Sequence, residues 1–178
     1  MSQLGQPLIA EMKQEAGATR RVLERVPADR LAWRPHPKSM SLGQLALHVA
    51  RIPGALANLA KGDGVDASTV NFEAPAPASA DELVPTLESS VASACEYLET
   101  LDAEAAGAPW RLTAGGREIF NIPRAAMLRT LMLNHWYHHR GQLVVYLRLL
   151  DVPVPSVYGP SADENPFAAA MAPTTATA

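Results

Sequence analysis

Apolar residues recur every three or four positions along four separate stretches of this chain, and segments rich in proline and glycine divide them. That period marks amphipathic helices, and four of them with little strand pattern between make a helical bundle the natural architecture. The first stretch covers roughly residues 3 to 25, with Leu4, Leu8, Met12, Ala16, Val22 and Leu23 on its stripe, and ends ahead of Val26-Pro27. The second follows Ser41, a good N-cap, with Gln44 three residues on as its capping-box partner. It carries Leu42, Leu45, His48, Val49, Ile52, Leu56 and Leu59. Pro53 should kink it or mark a boundary, because proline removes a helical hydrogen bond, and Lys61-Gly62-Asp63-Gly64 should stop it. The third begins near Ser79 or Ala80, with Asp81 and Glu82 in a first turn whose dipole favours negative charge. Pro85 falls early enough to be tolerated, and Leu83, Leu87, Val91, Ala94, Leu98 and Leu101 form the stripe. The fourth runs from about Pro123 to Leu150, with Leu128, Leu131, Met132, His135, His139, Gln142, Leu143, Tyr146 and Leu149 on one broad face.

The connections differ in kind. Residues 61–78 show no periodicity and read as a long crossover, able to join two parallel helices. In residues 109–121, Trp110, Leu112 and the pair Gly115-Gly116 ahead of Ile119-Phe120 predict a short hairpin or irregular strand pair. Residues 1–160 then form a single domain, and residues 161–178, ending in AAAMAPTTATA, a low-complexity mobile tail. A net charge of -3 with no basic stripe argues against a nucleic-acid partner. The lone Cys95 excludes an internal disulfide and a cysteine-rich zinc site, and fits a reducing cytosol. The N-terminus has no signal-peptide pattern, and no apolar run reaches the length of a membrane span, so a cytoplasmic location without a membrane partner is expected.

Three of the five histidines lie in residues 134–142, inside the fourth helix. His135 and His139, four residues apart, share a helical face. His138 is three residues from His135, so spacing alone admits it too. His48 on the second helix is the best third partner. It lies about seven residues into its helix and His139 about eleven before the end of its own, roughly 10 and 16 Å from the same end if the two helices are antiparallel. Three imidazoles and a water would leave an open position on a bound ion, as catalytic metal sites do. A lone histidine on an apolar stripe is also the ordinary hydrogen-bonded core residue, and a His-x3-His pair arises by composition, so both readings stay open on spacing alone. Gln142 shares the histidine face and suits an outer-shell hydrogen bond. Arg140 points about 140° from His135, towards a salt bridge with another helix or the loop. His36 reads as an exposed loop residue, and Asp151, Asp163 and Glu164 as solvated carboxylates, so no general base is evident. Trp33, Trp136 and Tyr137 read as packing residues, and Cys95 as a buried thiol.

The pattern Leu31-x-Trp33-Arg34-Pro35, then Ser41-Leu42-Gly43-Gln44-Leu45-x-x-His48-Val49, then His135-x3-His139-Arg140-Gly141-Gln142-Leu143, resembles the DinB/YfiT-like family of metalloenzymes over roughly residues 4 to 152. The resemblance implies an all-α four-helix bundle in up-down-down-up order. It implies a divalent metal such as Zn or Ni held by His48, His135 and His139, and it chooses His139 over His138. It implies an enzyme acting on a small molecule. Members include bacillithiol S-transferases and mycothiol-dependent maleylpyruvate isomerases, so transfer of a low-molecular-weight thiol co-substrate is expected ahead of hydrolysis. The alternative is a non-catalytic binding or stress-associated bundle with a vestigial site. A homodimer is expected, bundles of this size often associating through a helix face and the resemblance leaning the same way.

Overall fold

The computed structural model describes residues 4–168. Its long helices are α1 (Gly5–Leu23), α2 (Leu42–Leu59) and α3 (Leu83–Thr100), followed by the short α4 (Ala103–Gly107). The fourth bundle element is composite: α5 (Arg124–Met127), a π-helical stretch (Leu128–Asn134) and α6 (His135–Leu149). The expected fold class holds: a mostly helical bundle, with α3 packed on α1 and α2, and α6 on α2 and α1. One continuous buried cluster fills it, with Met12, Leu42, Leu45, Ile52, Leu98, Met127, Trp136 and Leu147 at 2% exposure or less. The single α-helix expected over 123–150 is corrected by the π stretch. Leu149, placed on its broad apolar face, is 59% exposed, because that face turns to solvent beyond Leu147.

The start of α2 is built by its own loop. Ser41 Oγ accepts from Gln44 N while Gln44 Oε1 accepts from Ser41 N, completing the capping box. Two further N–H groups of the first turn are satisfied by the preceding loop: Leu42 N donates to Trp33 O and Gly43 N to Leu31 O. Lower down, Pro53 interrupts the hydrogen-bond ladder of α2, and the neighbouring helix repairs it. Ser90 Oγ on α3 accepts from Gly54 N at 2.8 Å and donates to Arg51 O at 3.1 Å. A Cβ on Gly54 would stand 3.0 Å from the Ser90 Cα, so glycine is what permits this approach of α2 and α3.

The expected hairpin is present and is part of a larger sheet. β2 (Pro109–Ala114) and β3 (Arg117–Pro123) pair antiparallel, with an irregularity between Leu112 and Thr113. β1 (Gly64–Asp66) adds a parallel edge, pairing Gly64 with Arg111 and Asp66 with Thr113. This third strand comes from the crossover that carries no strand pattern in sequence. Three residues are too few to show alternation, and its pairing is supplied by β2. Gly115 and Gly116 turn the hairpin at φ 57° and 79°. The Asp66 carboxylate accepts from the Ser68 hydroxyl, from Ser68 N and from the N–H groups of both glycines, and these bonds, the hydroxyl's first, hold its pKa well below the usual range. Arg124 locks the sheet to the bundle, donating to Asp63 Oδ1, Gly62 O and Ala105 O.

After α6 the chain turns back over α1. Asp163 accepts from Val154 N and pairs with Arg148; Glu164 accepts from Ser156 N and pairs with Arg21. The tail expected from residue 161 is therefore hydrogen-bonded through Glu164, and residues 169–178 lie outside the described residues.

Candidate metal centre

α2 delivers His48, and α6 delivers His135 and His139. The three half-buried rings meet. Their centroids lie 4.5 Å apart for His135 and His139, 4.6 Å for His48 and His139, and 5.3 Å for His48 and His135. One ligand-capable nitrogen from each lies within 4.8 Å of the others. The three residues singled out in the sequence therefore come together. His138 is exposed on the neighbouring face, its ring 4.9 Å from that of His139 and outside the cluster. His36 lies in the exposed loop, its Nδ1 accepting from Lys38 N.

The ring orientations are fixed from behind. His139 Nδ1 lies 2.7 Å from Gln142 Oε1, and His135 Nδ1 lies 3.2 Å from Leu131 O. With Gln142 Oε1 and Leu131 O as the acceptors, each Nδ1 carries the proton and each Nε2 presents its lone pair to the cluster. The two Nε2 atoms are 2.7 Å apart. Two lone pairs at that distance repel unless a cation lies between or beside them. A proton would serve only at the cost of a charged imidazolium in a half-buried position, and burial pushes the pKa of both rings down. A shared divalent ion fits better. At ~2.0–2.1 Å from each nitrogen in tetrahedral geometry it would hold them about 3.3 Å apart, so the rings need to part by only about half an ångström.

His48 is depressed furthest, to about 4, first by burial, then by the charges of His139, His135 and Arg51. All three rings are thus neutral at pH 7 and able to act as ligands. Among the groups acting electrostatically on the three rings, none is a carboxylate.

The π stretch ends at Asn134, immediately before the first histidine of α6. A π turn shifts the backbone hydrogen bonds by one residue, and such turns gather at functional sites. Here it coincides with the Leu131 carbonyl that meets the His135 ring. Sequence reasoning missed this support. LRTLMLN is an ordinary apolar helical run, and nothing in it marks a π turn. Gln142 was visible, because i+3 from His139 places it on the same face.

Arg140 turns the other way. Its guanidinium is 2% exposed and pairs with Glu15 Oε2 of α1 at 2.6 Å. It also donates to Glu15 O, Thr19 Oγ1 and Tyr158 OH, and stacks against the rings of Tyr137 and Tyr158. Trp136 is fully buried, Tyr137 OH donates to Glu11, and Trp33 meets Tyr146 edge-on at 5.7 Å. Cys95 is 8% exposed, and burial raises its thiol pKa.

Asp163 and Glu164 bind the arginines of α6 and α1 and do not reach the histidines. No helix of the described residues is long and apolar enough to cross a membrane.

A bundle with a small sheet ahead of its last helix, and a tri-histidine cluster that can bind a metal ion, defines a known class. A model of the DinB family matches residues 1–168, and the chain belongs to that family. The chain is 26% identical over 157 residues to the uncharacterized protein YrdA of Bacillus subtilis (strain 168), covering 84% of this chain and 85% of that protein. Two solved structures share the fold. The DinB-like protein YjoA of Bacillus subtilis superposes with a TM-score of 0.64 at 22% identity, covering 85% of this chain and 97% of that one. A DinB-like protein of Bacillus cereus ATCC 10987 gives 0.65 at 22% identity, covering 89% of this chain and 100% of that one.

Proposed function

We propose that this protein is a metal-dependent enzyme acting on a small molecule, with His48, His135 and His139 as its metal ligands and transfer of a low-molecular-weight thiol ahead of hydrolysis as its reaction. The observation that carries this reading is the approach of three neutral imidazoles without a carboxylate. Such a donor set leaves the full charge of a divalent ion uncompensated. A bound ion would supply Lewis acidity, enough to hold a thiol as its thiolate or to lower the pKa of water to about 7. The protein's own part is orientation. Gln142 and the Leu131 carbonyl keep protons on the two Nδ1 atoms, so the Nε2 lone pairs stay directed inwards. Three protein ligands leave room for a substrate, whereas structural sites are usually closed by four. Among the described residues no carboxylate acts on the three rings as a general base for water would, which favours a thiol, itself acidified by the ion.

The test is purification without added metal salts, metal analysis, and a screen of thiols against electrophiles on the loaded protein, with His48→Ala as control. The expected result is about one ion per chain and thiol-dependent turnover, both lost in the variant. A loaded wild type inert towards every thiol and electrophile would favour a non-catalytic bundle.

A further inference from the structure

Arg51 lies three residues after His48 on α2, so the two side chains share a face about 5–6 Å apart at their Cβ atoms. It is exposed, and among the described residues its guanidinium makes no hydrogen bond or ion pair. Its charge nevertheless acts on the His48 ring. The same side chain lines an open groove of about 490 Å³ between α2 and α3, whose other polar walls are the hydroxyls of Thr86, Ser89, Ser90 and Ser93. Ser90 is occupied with the α2 backbone. Among the described residues the hydroxyls of Thr86, Ser89 and Ser93 have no hydrogen-bond partner. None of the described residues lining the groove is acidic. A planar guanidinium with five donors, beside hydroxyls and a prospective dication, suits a carboxylate and repels a cation.

We propose that Arg51 is the anion-recognition residue of this site, and that the molecule reaching the histidines carries a carboxylate seated in the α2–α3 groove. The proposal rests on the metal-centre reading and adds its substrate class. Recognition of this kind falls with ionic strength, because the guanidinium is exposed.

The test uses cobalt-loaded full-length protein and two small thiols, the anionic mercaptosuccinate and the neutral thioglycerol. Binding is followed by the thiolate-to-cobalt absorption, and succinate binding by calorimetry. Wild type is expected to prefer mercaptosuccinate by roughly tenfold or more, the range of a charge-assisted contact. Arg51→Gln should remove that preference while leaving thioglycerol binding and cobalt content unchanged, and Arg51→Lys should keep part of it. A preference that survives in Arg51→Gln, with cobalt bound, overturns the role of Arg51 and leaves the metal centre standing. If neither thiol perturbs the cobalt spectrum, thiol ligation fails and succinate decides. Binding lost in Arg51→Gln supports the anion site, whereas succinate that binds both proteins alike, or neither, overturns it.

Discussion

His139 and Arg140 are neighbours on α6, yet they serve polar centres of opposite character. His139 faces α2 and joins a cluster of uncharged donors whose lone pairs point at one another without a partner. Arg140 faces α1 and joins a closed network in which Glu15, Thr19 and Tyr158 satisfy a buried guanidinium. The histidines are half-buried and the Arg140 pair almost wholly buried, and the chemistry differs as well. The network beside Arg140 is electrically balanced, and both terminal nitrogens of the guanidinium have hydrogen-bond partners, so little remains for a ligand to satisfy. The histidine cluster instead brings three ligand nitrogens within 4.8 Å of one another, an arrangement that a divalent cation satisfies. A polar cluster that is complete reads as structure, and one with converging unsatisfied acceptors reads as a binding site.

The comparison breaks first at its strong side. Arg140→Met should cost about 3–5 kcal/mol, because it leaves the Glu15 carboxylate buried without its partner. Urea unfolding would measure it. The double variant Glu15→Leu with Arg140→Met should recover much of the loss, and a double variant as unstable as the single would show that packing, not the charge pair, is at stake. On the other side, His48→Ala should leave the fold near wild-type stability without metal and lower metal affinity by more than 100-fold, read by competition with a chelator. That exceeds what loss of an outer-shell group gives. Gln142→Ala should cost roughly 10–100-fold in metal affinity with little change in unfolding. Equal affinity would mean the His139 tautomer is held by something else.

The helix pattern was legible because apolar spacing is a local property: Ser41 with Gln44, the stop after Leu59 and the hairpin around Gly115-Gly116 all sit where residue type demands. The histidine cluster was legible in part. Spacing put His135 and His139 on one face, but only the family pattern selected His139 over His138, since the phase that separates them depends on packing. Arg140 was read correctly as turning away, though Glu15 is 125 residues distant in sequence and carries no mark of its role. The π stretch and β1 were invisible for the same reason. Each exists because a distant element supplies what its own residues do not.

Smaller effects sharpen the contrast. The three histidines hold pKa values below about 6.5, the ordinary value, with His48 near 4. As pH falls below 6.5 the unfolded chain takes up protons that the folded chain refuses. Stability of the metal-free protein should therefore be fully present above that value and decline towards pH 4. Denaturant midpoints at pH 7 and pH 5 would show it, and His48→Ala should flatten the slope. Ser90→Ala should cost about 1 kcal/mol, since it leaves one donor and one acceptor of the Pro53 break unpaired, and should leave metal binding unchanged.

The central claim is that His48, His135 and His139 share one cation. Titration of metal-free protein with zinc or nickel, followed by X-ray absorption at the metal edge, tests it most directly. The account predicts saturation at about one ion per chain with three imidazole nitrogens at ~2.0–2.1 Å, lost in His48→Ala and retained in His138→Ala. Saturation that is indifferent to His48, or that depends on His138, would contradict it.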